Sequence, residues 1–104
     1  PRAQELYERL LKLDPKNPDV TTNLGIVHRS QGRFEQALPL FRDARAIDGA
    51  HWQAMFNEAV VLAFDLHDFA AAESVIAELR AIASSNPDVG RLEGEVRRLR
   101  GAGV

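Results

Sequence analysis

An internal repeat constrains this chain more than any other feature. Residues separated by 34 positions match as Ala3 with Ala37, Tyr7 with Phe41, Asn23 with Asn57, and Gly25 with Ala59. Phe34 and Ala37 instead return 35 positions later as Phe69 and Ala72. One additional residue is therefore predicted in the turn region 65–68.

A second pair of segments checks this period independently. The segment Asn-Pro-Asp-Val at 17–20 returns at 86–89, a shift of 69 that equals one period of 34 and one of 35. At the same shift Gly25, Val27 and Gly32 return as Gly94, Val96 and Gly101. A repeat of this length is typical of stacked supersecondary units, none of which can bury its apolar face alone.

The apolar residues within each unit recur at helical spacing, and no segment alternates with the period of two that marks a strand. Asn17 and Asn86 each precede a proline, a pattern that caps a helix and opens its first turn. The first predicted helix ends near residue 13. Five further helices are predicted at 18–31, 34–47, 51–64, 69–83 and from 87 onward. The pattern therefore predicts an all-α fold.

Small residues are placed where two helices of a hairpin must approach closely. We expect Gly25 to face Ala37 and Ala44, and Ala59 to face Ala72. The larger side chains on either side of these contacts are expected to fill the core, namely Leu24, Phe34, Phe41, Phe69 and Ile76.

The best-preserved unit contains Asn23-Leu24-Gly25, then the segment 32–38, then Phe41 and Ala44. In these residues the chain resembles the tetratricopeptide repeat family. The resemblance implies an α-solenoid of stacked antiparallel helical hairpins in a right-handed superhelix. It divides one domain, 1–104, into the second helix of a truncated repeat at 1–14, repeats at 18–48 and 51–84, and a closing helix at 87–100.

The chain departs from the family pattern at several places. The usual tryptophan position holds Thr21 and Met55, and the tyrosine position holds His28 and Leu62. Only Pro15 keeps the proline that joins repeats. The repeat at 51–84 is therefore less typical than the repeat at 18–48.

The resemblance also implies a concave groove lined by the first helix of each repeat, with a protein or peptide as partner. The residues it places there are Thr22, Asn23, Ile26, Arg29, Ser30, Phe56, Asn57, Val60 and Phe64. An asparagine side chain both donates and accepts hydrogen bonds, so Asn23 and Asn57 are predicted to hold the backbone of an extended peptide. The alternative is that both are solvated or bond within their own hairpin.

An apolar stripe lies beside these asparagines, formed by Phe56, Val60 and Phe64 at helical spacing. It is expected to receive apolar anchors of a partner, although core packing is the competing interpretation for Phe64. Family members that clamp the C-terminal carboxylate of heat-shock chaperones use lysine, asparagine and arginine at set places. Here those places hold Thr22, Ile26, Asp88 and Leu92, and only Asn57 fits, which argues against such a clamp.

The last helix is basic, with arginines at 91, 97, 98 and 100. Stabilisation of the negative C-terminal end of that helix is one explanation. Contact between an acidic partner and Arg91 and Arg98 is the other. Nucleic acid is not expected, because no aromatic residues are interleaved with these arginines and the 13 basic residues are balanced by 15 acidic ones.

No pattern in the sequence indicates catalysis, a metal or a cofactor. His28, His51 and His67 lie on different elements and lack the spacing of metal ligands. Glu93 and Glu95 are two positions apart on one helix and point in different directions, so they do not form a carboxylate pair. We therefore expect a binding module rather than an enzyme.

The absence of cysteine does not distinguish the cytoplasm from an oxidising compartment. No apolar run is long enough to cross a bilayer and no signal-like stretch is present, so the cytoplasm is favoured, with the periplasm as the alternative if an upstream signal or anchor is missing. The non-methionine start at Pro1 predicts a segment of a longer protein, and the scarcity of lysine beside arginine and alanine suggests a bacterial source. The alternative function is self-association, or packing on a catalytic domain elsewhere in the protein. The first helix favours it through apolar residues that lack their usual neighbour, namely Leu6, Tyr7, Leu10 and Leu13.

Overall fold

A computed structural model describes residues 2–102, and within them the chain is helical throughout. Its elements are α1 (Arg2–Leu13), α2 (Pro18–Ser30), α3 (Phe34–Ile47), α4 (Trp52–Val60), a π-helical turn (Val61–Asp65), α5 (Phe69–Ala83) and α6 (Pro87–Gly101). The predicted all-α fold is confirmed.

The helices begin where side chains satisfy the first backbone amides, which have no partner inside a helix. Asn17 Oδ1 accepts a hydrogen bond from the amide of Val20 at 3.1 Å, and Asn86 Oδ1 accepts one from the amide of Asp88 at 2.9 Å. The predicted asparagine caps of α2 and α6 are therefore present.

Each helix packs against the next one along the chain, so α2 with α3 and α4 with α5 form hairpins that α1 and α6 flank. The helices that open the hairpins, α2 and α4, also contact each other. This order produces an elongated stack with extents of 43 × 27 × 19 Å.

The core lies between the helices of each hairpin and continues into α6. Ala37, Phe41 and Ala44 are completely buried, and α6 contributes three further buried residues, Val89, Leu92 and Val96. The nearest neighbour of Gly25 is the ring of Phe41 rather than the expected Ala37 and Ala44. A glycine is needed there because the ring occupies the space that a Cβ would fill.

The additional residue of the second complete repeat lies in the π-helical turn. In the first repeat the amide of Arg33 bonds the carbonyl of His28, five residues back. In the second repeat the equivalent bond joins Asp68 to Leu62, six residues back, and so spans the extra residue. The prediction placed this residue at 65–68, whereas the turn ends at Asp65. A π turn closes its hydrogen bonds over five residues, so the insertion widens the helix instead of lengthening the loop.

Candidate functional site

A groove opens between α4, the π-helical turn and α6. Its lining residues are Phe56, Val60, Phe64, Asp88, Arg91, Leu92 and Glu95, and its volume is about 280 Å³. Phe56, Val60 and Phe64 follow one another at four-residue spacing and form one wall. Leu92 belongs to the opposite wall, and the charged side chains belong to α6. We call this the α4–α6 groove.

The aromatic part of the groove is positioned by the core beneath it. Phe56 is half-buried, and its ring meets that of Trp52 edge-to-face, with centroids 6.1 Å apart and planes at 88°. Phe64 is also half-buried and packs against the core while lining the groove. Both expectations for Phe64, core packing and groove lining, therefore describe part of its environment.

The charged residues of the groove are paired along α6 itself. Arg91 Nη1 lies 3.3 Å from Asp88 Oδ1, and Arg98 bonds Glu95 one turn away. Arg91 and Arg98, predicted as contacts for an acidic partner, thus each have an acidic neighbour on the same helix. The structure brings Arg91 into the groove with the apolar stripe, although the sequence analysis treated the two as separate surfaces.

The predicted residues of α2 have different environments. Asn23 is exposed and Ile26 is 41% exposed, so both are presented to solvent. Thr22 is only 3% exposed, and its hydroxyl has no hydrogen-bond partner among residues 2–102. Arg29 forms a two-bond ion pair with Asp65, at 2.6 Å and 3.3 Å. Ser30 is also exposed, and its hydroxyl donates to the carbonyl of Val27 at 2.7 Å. Asn23, Ile26 and Ser30 are therefore the exposed members of this group.

The two equivalent asparagines are not used in the same way. Asn57 Nδ2 donates to the carbonyl of Gln53 on its own helix at 2.8 Å, which corresponds to the alternative of a bond within the hairpin. Asn57 is half-buried, whereas Asn23 is exposed. Asn23 and Asn57 are thus not equally available to bond the backbone of a peptide.

A buried ion pair escaped the sequence analysis. Glu58 is 3% exposed, and its carboxylate accepts hydrogen bonds from Arg42 Nε at 3.1 Å and Arg45 Nη1 at 2.8 Å. The repeat contained the signal, because Glu58 lies 34 positions after Leu24, a core residue. The two arginines supply the hydrogen bonds that make a buried carboxylate tolerable.

The histidines have separate structural surroundings. His51 is buried, with Nδ1 accepting from the amide of Ala54 at 3.2 Å and Nε2 bonded to Asp19 at 2.8 Å. His67 stacks on Phe69. Among residues 2–102, no group of three or more His, Cys, Asp or Glu side chains is arranged to hold a metal ion.

None of the helices between residues 2 and 102 has the length and apolar character needed to span a membrane.

The sequence profile described as "Tetratricopeptide repeat" matches residues 1–51 and 22–87. These matches cover well over half of the chain, and together with the stacked hairpins they show that it belongs to the tetratricopeptide repeat family. No curated protein sequence matches the chain.

Solved structures of similar fold are known. The first repeat domain of Spaghetti (RPAP3), bound to the HSP90 peptide SRMEEVD, superposes with a TM-score of 0.82 at 19% identity, over 95% of this chain and 77% of that one. The Yersinia enterocolitica chaperone SycD, in complex with a peptide of the translocator YopD, gives 0.78 at 19% identity over 95% and 75%. PcrH, in complex with the chaperone binding region of PopD, gives 0.80 at 24% identity over 97% and 78%. These likenesses show a tetratricopeptide-type helical solenoid.

Proposed function

We propose that this chain is a protein-interaction module that binds a peptide segment of a partner protein in the α4–α6 groove. The carrying observation is the convergence of Phe56 and Val60 from α4, Phe64 from the π-helical turn and Leu92 from α6 around one open cavity. Three of these side chains are half-buried, so part of their apolar surface is available to a partner.

The size of the cavity defines what enters it. Its volume of about 280 Å³ lies just below the roughly 300–1,000 Å³ found for small-molecule sites. One or two large apolar side chains of a peptide fill such a space. Neither Asn23 nor Asn57 lines this cavity, so they would bond the peptide backbone only where the peptide continues past the groove over α4 and α2.

The charges of the groove argue for an uncharged anchor. The pairs of Arg91 with Asp88 and of Arg98 with Glu95 leave no net charge on this stretch of α6. An acidic peptide such as SRMEEVD would meet Asp88 and Glu95. Four clamp positions hold Thr22, Ile26, Asp88 and Leu92 in place of the lysine, asparagine and arginine that such clamps use. The likeness to the HSP90-peptide complex therefore supports peptide binding but not the same ligand.

Selection from a random library of 12-residue displayed peptides, with the purified chain as bait, tests this proposal. The enriched peptides are expected to share a bulky apolar residue, and synthetic copies should lose affinity for Val60→Glu, which places a charge in the groove. Ile82→Glu is the matched control, because Ile82 is an exposed apolar residue of α5 (42%) outside the groove.

Equal loss of binding in both variants would indicate a non-specific hydrophobic contact and contradict the proposal. Binding of SRMEEVD as tight as that of the selected peptides would contradict the anchor chemistry. A melting curve for each variant separates lost affinity from lost fold.

A second candidate, self-association through α1, is favoured by one observation. Leu6 and Leu13 lie seven residues apart on one face of α1 and are 53% and 83% exposed, and α1 contains no buried residue. Sedimentation analysis of the chain and of Leu6→Glu tests this candidate. A dimer that the substitution dissociates would support it, and a wild-type monomer at high concentration would contradict it.

A further inference from the structure

The additional residue of the second complete repeat has a consequence for the α4–α6 groove. We propose that the π-helical turn it creates, held in place by the Arg29–Asp65 ion pair, determines which apolar side chain the groove accepts. This inference rests on the proposed peptide-binding function and names the element that sets its specificity.

The two turns show where the second complete repeat accommodates its extra residue. Gly32 and His67, 35 positions apart, are the residues with positive φ in the two turns, at 74° and 54°. The amide of Leu66 bonds the carbonyl of Val61, five residues back, at 3.0 Å. The insertion is thus absorbed before His67, inside the wide turn, and the loop that follows keeps the geometry of the first repeat.

The wide turn changes the direction in which the apolar wall of the groove continues. In an α-helix a residue and its fourth neighbour are offset by about 40°, so a stripe with four-residue spacing drifts around the axis. A π turn has more residues per revolution, so each residue advances through a smaller angle. Phe64 therefore returns toward the line of Phe56 and Val60, and all three line the same groove.

Helix α2 supports the turn from the side opposite the groove. Asp65 is next to Phe64 and forms two bonds with Arg29 of α2, at 2.6 Å and 3.3 Å. The Asp65 side chain is 13% exposed, and such a two-bond pair fixes direction as well as distance. The ion pair ties the turn to α2 while its neighbour Phe64 faces α6. Asp65 and Arg29 are therefore positioning residues that act through Phe64.

Burial explains why the inner residues of the turn are apolar. Val61 and Ala63 are completely buried and Leu62 is 3% exposed, so the inner side of the turn belongs to the core. These buried residues anchor the backbone of the turn in the core. Of the outer residues, Phe64 faces the groove and Asp65 faces α2. The corresponding place of Phe64 in the first repeat is Ser30, which is exposed. The turn thus supplies an aromatic wall that the first repeat lacks.

The test uses a peptide selected by the wild-type chain, synthesised in four versions with Phe, Leu, Val or Ala as its anchor residue. Wild type is expected to prefer Phe over Val by about tenfold or more, as is typical when a well-formed apolar pocket is incompletely filled. In Asp65→Asn and Arg29→Gln this ratio should fall to about threefold or less. The double variant should show no further fall, because both residues act through one contact.

A deletion provides a second measurement. Removing Leu66 and replacing His67 by glycine restores the 34-residue period of the first repeat. The deleted chain should fold and lose the preference for Phe over Val. Arg80→Gln is the matched control, since it breaks the 3.2 Å pair with Glu93 outside the groove and should leave the ratio unchanged. Should the deletion prevent folding, the Arg29 and Asp65 variants decide the question.

The two possible failures are distinguishable. If the wild-type chain selects no peptide, or selected peptides bind Val60→Glu as well as wild type, the peptide-binding function itself is wrong. If peptides bind through the groove but the ratio stays at its wild-type value in Asp65→Asn and Arg29→Gln, the specificity role of the turn is overturned alone. Additive losses in the double variant would show that Arg29 and Asp65 act independently, which contradicts a role for their ion pair.

Discussion

The ring of Phe41 on α3 occupies the space beside Gly25 of α2 that a side chain at Gly25 would fill. A Cβ placed on Gly25 would lie 2.6 Å from Phe41 Cε1, closer than two carbon atoms can approach. Phe41 is completely buried, so its ring cannot turn into solvent without leaving the core. The contact explains why this position of the repeat is a glycine.

The first prediction concerns this contact. Gly25→Leu should destabilise the chain by about 1–3 kcal/mol or more, because overpacking forces the ring or the backbone to shift. Gly94→Ala is the matched control, since Gly94 occupies the equivalent repeat position in α6 but has no atom within 4 Å of its added Cβ. It should stabilise the chain by about 0.5–1 kcal/mol through helix propensity. Urea unfolding measures both, and equal effects would show that the assigned register is wrong.

The second prediction concerns Glu58. Glu58→Ala should cost about 2–4 kcal/mol, because Arg42 and Arg45 lose the buried carboxylate they bind and a cavity remains. Glu58→Leu should cost clearly less, since the equivalent residue Leu24 fills this place in the first repeat. Arg45 keeps its contact with Glu78 in both variants. Thermal melts give the comparison, and equal losses would mean that the ion pair, not the filled volume, stabilises the contact between the two hairpins.

The third prediction concerns the aromatic anchor of the groove. Phe56→Ala should weaken binding of a selected peptide by about 2 kcal/mol or more, as expected for a central interface residue. The Phe56 ring packs edge-to-face with Trp52 and against the core, so part of the cost should also appear as lower stability. Calorimetric titration at a temperature well below the melting point of the variant separates the two effects. Unchanged affinity in the folded variant would place the partner outside the α4–α6 groove.

The fourth prediction concerns the two equivalent asparagines. Asn23→Ala should weaken peptide binding by about 1 kcal/mol, the net value of a typical hydrogen bond. Asn57→Ala should weaken it less, because the amide of Asn57 already donates to Gln53. Titration of both variants with the same peptide checks the order. A larger loss for Asn57 would show that its internal bond breaks when a partner binds.

The sequence alone was sufficient for the helices and for their order. Caps such as Asn17 and Asn86, the glycine at Gly25 and the apolar periodicity are local signals, because they act within one helix or between a helix and its immediate neighbour. The repeat added the class of fold, since units of 34 and 35 residues cannot bury their apolar faces unless they stack. The apolar stripe of Phe56, Val60 and Phe64 was visible for the same reason.

Only the tertiary structure decided which of these surfaces meet. Arg29 and Asp65 are 36 positions apart, and their ion pair depends on the widened turn after α4. The repeat shift indicates that this turn contains one extra residue, but it does not indicate the geometry of the turn. Leu92 and Arg91 join the stripe because α6 packs beside α4, a relationship between separate helices that periodicity within one helix does not encode. Thr22 is buried although its repeat equivalent Phe56 lines the groove, because burial depends on the neighbouring helix and not on the residue type.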